Sequence, residues 1–122
     1  MAIILVADDD ASIVEMLAEL VSDHGHSAVL AYDGAMALSL ARSCNPDLVI
    51  TDVMMPRLDG YGLLREIRDD PMLSQTMVIL MSAAFTQRTP PKHDPPVADN
   101  YLHKPLDLTV IERVLMALAE DS

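Results

Sequence analysis

Short apolar runs alternate along the chain with longer segments in which apolar residues recur every three to four positions. A run of about five apolar residues is typical of a strand covered on both faces, whereas the longer spacing is typical of an amphipathic helix. The pattern therefore predicts strands at 3–7, 27–31, 47–51, 77–81 and around 101–102.

Capping residues indicate where the helices between these strands begin and end. Aspartates precede three of the periodic segments, at the position where a side-chain oxygen can accept from the first free backbone N–H groups. Strands that alternate with helices of this length predict right-handed crossovers, and hence a doubly wound α/β fold in which a parallel sheet carries helices on both faces. The helices are predicted from Asp10 to Gly25, from Asp33 to Asn45-Pro46, around 63–67, and after Asp107.

The length of 122 residues fits one domain, 1–122, with one hydrophobic core. Hydrophobic residues make up 51% of the chain, yet there is one Phe and no Trp, so the core must consist of aliphatic residues, with the methionines as filler. The lone Cys44 excludes an intramolecular disulfide and is expected to be a small buried side chain.

The charge balance restricts the partners. Eight Lys and Arg against nineteen Asp and Glu give a net charge of −11. Binding to nucleic acid or to an anionic membrane needs Lys and Arg patches, so neither is expected. The first residues lack the basic region of a signal peptide, and no apolar stretch approaches the roughly 18 residues of a membrane span. These features predict a soluble, cytoplasmic protein.

Polar side chains collect where the predicted strands end. Asp8, Asp9 and Asp10 follow the first strand, and Asp52 follows the third. In an open α/β sheet the carboxyl ends of the strands form the functional edge. Because clustered like charges raise one another's pKa unless a cation lies among them, and because oxygen ligands suit Mg²⁺, these acids predict a metal site. Asp10 is also a natural helix cap. Ser82 after the fourth strand and Lys104 after the fifth complete the set.

Taken together, these motifs resemble the receiver domain of bacterial two-component response regulators over the whole chain. That resemblance implies a five-stranded, flavodoxin-like sheet of order 2-1-3-4-5. It is carried by four segments: Ile-Leu-Val-Ala-Asp8-Asp9-Asp10, Asp47 to Gly60 with Asp52, Pro56 and Asp59, Val78-Ile-Leu-Met-Ser82-Ala83, and Tyr101-Leu-His-Lys104-Pro105.

The resemblance also implies a chemistry for each matching residue. Asp52 matches the aspartate that accepts a phosphoryl group from a sensor histidine kinase or a histidine phosphotransfer protein, with Mg²⁺ or Mn²⁺ as cofactor. Asp9 matches a direct metal ligand, Asp8 an acid acting largely through water, and Met54 a ligand through its backbone carbonyl. Lys104 matches the lysine that pairs with a phosphoryl oxygen.

The same family provides an interpretation of the switch. Ser82 matches the hydroxyl that turns to bond the phosphoryl group, and Tyr101 the aromatic side chain that moves inward with it. Receivers also share a cis bond at the position of Lys104-Pro105, which we expect here. The chain is therefore interpreted as a signalling switch rather than an enzyme, with its cognate kinase and output partner left open.

One segment departs from the family pattern. Four prolines, Pro90, Pro91, Pro95 and Pro96, stand where a receiver has its fourth helix. An interior proline removes a backbone donor and costs about 3 kcal/mol, so that helix is predicted to be absent or shortened, with 86–97 irregular.

Two other interpretations stay open at this point. Asp8-Asp9-Asp10-Ala11-Ser12 also fits the Asp-x-Asp motif of phosphohydrolases resembling the haloacid dehalogenase family, in which Asp8 would be the nucleophile and Asp52 would have no role. A pseudo-receiver that acts only by binding is disfavoured by the complete set of acids, Ser82 and Lys104.

The four histidines lack zinc-ligand spacing and are expected at the surface or as caps. Whether the chain is a stand-alone receiver or part of a longer protein is also open.

Overall fold

A computed structural model describes residues 1–83 and 98–120, which form one five-stranded parallel sheet with helices on both faces. The strand order is β2-β1-β3-β4-β5, which confirms the flavodoxin-like arrangement. The elements are β1 (Ile3–Ala7), α1 (Ala11–Asp23), β2 (Ser27–Ala31), α2 (Gly34–Cys44), β3 (Leu48–Asp52), α3 (Gly60–Asp69), β4 (Met77–Ser82), β5 (Asn100–His103) and α4 (Leu108–Glu120).

Alternate residues of the central strands point into two separate cores. Leu5 and Ala7 of β1 belong to the core that also contains side chains of α2 and α3, whereas Ile4 and Val6 belong to the core on the face of α1 and α4. All five residues of β3 are buried. The continuous apolar runs seen in the sequence are thus explained by a sheet that is covered on both sides.

Aspartate side chains cap all four helices of the described residues, and at α4 Asp107 Oδ1 accepts from Thr109 N at 3.0 Å. Asp10 Oδ1 accepts from Ser12 N at 3.0 Å, Asp33 Oδ1 accepts from Met36 N at 2.7 Å, and Asp59 Oδ1 accepts from Gly62 N at 2.7 Å. At the other end of α2, Asn45 takes the left-handed conformation with φ 47°. The predicted starts after Asp10, Asp33 and Asp107 are therefore confirmed.

Strand register brings the carboxyl ends of the strands to one edge. Ala7 pairs with Thr51, Thr51 pairs with Leu80, and Leu80 pairs with Tyr101. The third strand extends one residue further than predicted, since Asp52 itself pairs with Met81. The residues that follow these pairs therefore lie at the same edge of the sheet.

His26 corrects a sequence-based expectation. Because the histidines lack zinc-ligand spacing, His26 is predicted to lie at the surface or to cap a helix, but it is only 5% exposed. Its Nδ1 accepts from Ala2 N at 2.9 Å and its Nε2 donates to the Leu115 carbonyl at 2.7 Å, so the ring joins the starts of β1 and β2 to α4. A buried imidazole is stable here because both nitrogens have partners.

The expectations for the sulfur-containing residues were also wrong in part. Met55 and Met81 are buried as core filler, but others lie on the exposed sides of helices and loops: Met1, Met16, Met36, Met54, Met72 and Met116. Cys44 is half-buried at the last turn of α2 rather than fully buried. Apolar composition alone does not say which side of a helix a residue occupies.

The predicted loss of a helix at 86–97 lies outside the described residues. In the part of the chain that is described, no helix combines the length and the apolar character that crossing a bilayer requires.

Candidate functional site

Asp52 lies at the centre of the carboxyl edge, at the last position of β3. Both faces of β3 are covered, and Asp52 is almost completely buried, with an exposed fraction of 5%. Burial raises the pKa of Asp52, and the negative charge of Asp8 adds to that effect, while Lys104 opposes it. Lys104 therefore offsets part of the cost of ionising a carboxylate at this position.

Asp8 and Asp9 reach the same pocket from the end of β1. The Asp8 side chain is 1% exposed and its Oδ1 accepts from Asp10 N at 2.9 Å, whereas Asp9 is exposed. Oxygen atoms of Asp8, Asp9 and Asp52 lie within 4.8 Å of one another. The structure thus brings together the three acids that the strand ends predicted to be close.

Asp10, the third acid of the run, has a different structural role. Its Oδ1 accepts from the Ser12 hydroxyl at 2.6 Å as well as from the Ser12 N–H, and these bonds lower its pKa. Asp10 is therefore a helix cap.

Lys104 provides the cation of the pocket. Its Nζ lies 2.7 Å from Asp8 Oδ2 and 3.2 Å from Asp52 Oδ1. Burial on its own would lower the pKa of Lys104, but its bonds to Asp8 and Asp52 outweigh burial and raise it. Lys104 N donates to the Ser82 carbonyl at 3.1 Å, and the Lys104–Pro105 bond is cis, as predicted.

Ser82 and Tyr101 occupy neighbouring strands beside the acids. Ser82 is buried at the last position of β4, one residue beyond the Met81 that pairs with Asp52. Tyr101 is half-buried in β5, and its hydroxyl accepts from Ala98 N at 3.3 Å. A hydroxyl, an amine and three carboxylates therefore share one end of the sheet.

The loop from 53 to 59 closes the pocket on the β3 side. Val53 N donates to the Met81 carbonyl at 2.9 Å, and Gly60 N donates to the Val53 carbonyl at 2.8 Å. A Cβ at Gly60 would lie 2.5 Å from the Asp52 carbonyl oxygen, so only glycine allows α3 to begin this close to the site. Met54 lies in this loop with its side chain turned to solvent.

The donor set fits a hard divalent cation. Three carboxylates and one ammonium leave an excess of negative charge, and carboxylate oxygens are the ligands preferred by Mg²⁺ and Mn²⁺. Thiolate or imidazole ligands, which would favour zinc, are not part of this cluster of described residues.

An apolar groove runs beside the pocket and was not predicted from the sequence. It has a volume of about 300 Å³ and lies between the first turns of α1 and the segment after β5. The groove is hard to predict from the sequence, because the spacing of Ile13 indicates only that this residue belongs to the buried face of α1. The groove is lined by Ile13, Met16, Lys104, Pro105, Leu106 and Leu108.

With this geometry in place, a comparison with known families decides the assignment. The sequence model of the response regulator receiver domain family matches residues 4–116. The chain belongs to this family. A receiver is a signalling module that works through phosphorylation, and the family binds Mg²⁺ at an acidic pocket. This membership argues against the phosphohydrolase alternative with Asp8 as nucleophile.

Individual relatives are response regulators and transcriptional regulators of greater length. Response regulator MprA of Mycolicibacterium vanbaalenii is 38% identical over 115 residues, which are 94% of this chain and 49% of that protein. The probable transcriptional regulator ycf27 of Guillardia theta is 45% identical over 80 residues, 66% of this chain and 30% of that protein. The chain thus spans half or less of the length of these curated relatives.

A solved structure has the same fold across the chain. The receiver domain of the Francisella response regulator 1452 superposes with a TM-score of 0.82 at 28% identity, covering 99% of this chain and 98% of that one.

Proposed function

We propose that this receiver is a phosphoryl-accepting switch in which Asp52 takes a phosphoryl group from a sensor histidine kinase or a histidine phosphotransfer protein. One observation supports this above all: a buried aspartate at a strand end shares its pocket with two further acids and touches a lysine ammonium. The Lys104 ammonium contacts both Asp8 and Asp52, so one cation is shared by two buried carboxylates.

The transfer uses Asp52 as nucleophile. A carboxylate oxygen of Asp52 attacks phosphorus, the bond from phosphorus to the donor imidazole nitrogen breaks, and its electron pair returns to that nitrogen. Asp9 and Asp52 would hold Mg²⁺ or Mn²⁺ directly, Asp8 would act largely through water, and Met54 would contribute its backbone carbonyl. The bound ion supplies charge neutralisation for the transferred phosphoryl oxygens.

Lys104 has two partners before transfer and gains a third afterwards. Its ammonium already lies 3.2 Å from Asp52, which favours the ionised and hence nucleophilic carboxylate. Once Asp52 is phosphorylated, the same ammonium can pair with a phosphoryl oxygen while it keeps its contact with Asp8. The lysine therefore stabilises the phosphorylated state.

Ser82 and Tyr101 convert the modification into a change of shape. A phosphoryl group can bias two conformations only if they differ in their contacts with it. The Ser82 hydroxyl supplies such a contact from the neighbouring strand, and Tyr101 moves inward as Ser82 turns. This part of the proposal follows the family resemblance at both positions.

The groove beside Lys104 favours a protein donor over a small one. Its apolar lining extends from the pocket along α1, so a donor that packs there would bring its phosphohistidine toward Asp52. Because the net charge of the chain is −11, we propose that the output passes to a protein partner and not directly to nucleic acid.

Intact-mass measurement tests the proposal. With acetyl phosphate and Mg²⁺ the chain should gain one phosphoryl group, Asp52→Asn should gain none, and chelation of the metal should abolish the gain. A gain that persists in Asp52→Asn but disappears in Asp8→Asn would contradict the proposal and favour chemistry at Asp8.

A further inference from the structure

Asp33 and Arg57 form an ion pair that connects two loops at the carboxyl edge of the sheet. Asp33 lies between β2 and α2, and Arg57 lies in the loop that follows Asp52. Arg57 Nη1 donates to Asp33 Oδ2 at 3.0 Å. The other carboxylate oxygen of Asp33 caps α2 through Met36 N, so the aspartate is fixed before it meets the arginine.

The backbone around Arg57 has an unusual conformation. Arg57 has φ 71°, a region that side-chain-bearing residues rarely adopt. Leu58 N donates to the Pro56 carbonyl at 2.8 Å, which closes a three-residue turn at the tip of the loop. A turn of this kind is unfavourable on its own and needs contacts that hold it.

The first turn of α2 supplies those contacts. Gly34 N donates to the Pro56 carbonyl at 3.5 Å, and a Cβ on Gly34 would overlap the Leu58 carbonyl. The loop from 53 to 59 is therefore fixed at its base by Val53 and Gly60 and at its tip by α2. Met54 lies between these two points.

We propose that Asp33 and Arg57 are positioning residues that hold this loop so that the Met54 carbonyl faces the metal site. The inference rests on the proposed function, because it concerns the metal that phosphorylation requires. In the described part of the chain, the side-chain hydrogen bonds of Asp33 go to Met36 N and Arg57 and not to the acidic pocket, so its effect passes through Arg57 and the loop backbone. The Arg57 side chain is 70% exposed, so we expect a modest effect, of the size that exposed ion pairs produce.

Two variants separate the ion pair from the helix cap. Asp33→Asn keeps a capping oxygen for Met36 N and removes the charge, whereas Arg57→Gly removes the guanidinium and tolerates the positive φ. Arg42→Gln is the matched control, because Arg42 also joins α2 to α3, through Glu66 and Asp70 at 3.5 Å, but at the far end of both helices.

Calorimetric titration of the unphosphorylated chain with Mg²⁺ gives the decisive measurement. Asp33→Asn and Arg57→Gly should each weaken Mg²⁺ binding about two- to fivefold, the double variant should be no weaker than either single one, and Arg42→Gln should bind like the wild type. In the metal-free chain, amide exchange at Leu58 should become faster in both variants and stay unchanged in the control.

Other outcomes separate the two proposals. Unchanged Mg²⁺ affinity in both variants, or effects that simply add in the double variant, would overturn the positioning role while leaving the proposed function in place. A wild-type chain that binds no Mg²⁺, or binds it equally well after Asp52→Asn, would instead remove the basis of both.

Discussion

Lys104 Nζ and Asp8 Oδ2 lie 2.7 Å apart although the two residues are 96 positions apart in the sequence. The contact connects the end of β5 to the end of β1 across the carboxyl edge, and Asp52 lies between them in the sheet order. It places one positive charge among three acids that would otherwise repel one another. The Lys104 ammonium thus offsets part of the repulsion among the acids of the pocket.

Removal of that cation should destabilise the metal-free protein. In Lys104→Met the Asp8 and Asp52 carboxylates lose their partner while they remain buried, and we expect a loss of about 1–3 kcal/mol in the free energy of unfolding. Because the ammonium also repels a divalent ion, Mg²⁺ should stabilise the variant more than it stabilises the wild type. Urea denaturation with and without Mg²⁺ measures both effects. Equal stabilisation of the two proteins by Mg²⁺ would contradict this prediction.

Asp52→Asn should change the pH dependence of stability. Burial and the charge of Asp8 raise the pKa of Asp52 in the folded chain. A carboxyl whose folded pKa is raised destabilises the fold when it is ionised, and that penalty disappears as the pH falls through the raised pKa and then the normal value. Asn removes the charge, so the variant should be more stable than the wild type near neutral pH and gain nothing in acid.

Urea denaturation at a series of pH values from acid to neutral checks this. Asp9→Asn is the control, since Asp9 belongs to the same cluster but is exposed. A constant difference between Asp52→Asn and the wild type across the series would show that the charge of Asp52 is not the cause.

The sequence predicted the sheet and the acids well because both depend on short patterns. Buried parallel strands are continuous apolar runs, and the acids at their ends are adjacent in the sequence to those runs. The strand order and the cis Lys104–Pro105 bond came from the family resemblance, and the structure agrees with both.

Contacts between distant segments could not be predicted in the same way. His26 is polar and follows a turn, which is typical of a surface residue, yet Leu115 on α4 lies where it can accept from the ring. Arg57 gave no signal either, because its partner Asp33 is 24 positions away and already had an explanation as a cap. Such pairs depend on how the helices pack, which residue spacing does not encode.

Gly60→Ala should damage both the fold and the site. Its Cβ would lie 2.5 Å from the Asp52 carbonyl and 2.8 Å from Val53 Cα, and both are backbone atoms that cannot turn aside. We expect a loss of about 1–3 kcal/mol in stability, as in overpacked cores, together with slower phosphorylation by acetyl phosphate.

Gly25→Ala provides the contrast for that variant. Gly25 has φ 81°, and apart from its own chain neighbours no atom of the described residues would lie within 4 Å of a Cβ added there, so alanine introduces backbone strain alone. It should lower stability and leave the phosphorylation rate unchanged. If both variants slowed phosphorylation to the same degree, general destabilisation would explain the effect of Gly60→Ala.

Tyr101→Phe should loosen the chain just before β5 while it keeps the aromatic ring. The Tyr101 hydroxyl accepts from Ala98 N at 3.3 Å, and phenylalanine lacks that oxygen. A hydrogen bond of this kind contributes about 0.5–1.5 kcal/mol, so amide exchange at Ala98 should become roughly two- to tenfold faster.

Asp99 N, which donates to the Val78 carbonyl at 2.8 Å, should exchange as before. Tyr32→Phe is the matched control, since Tyr32 is exposed and directly follows β2, the edge strand opposite β5. Unchanged exchange at Ala98 in Tyr101→Phe would mean that the hydroxyl does not hold this segment, and that the ring of Tyr101 alone connects β5 to the switch.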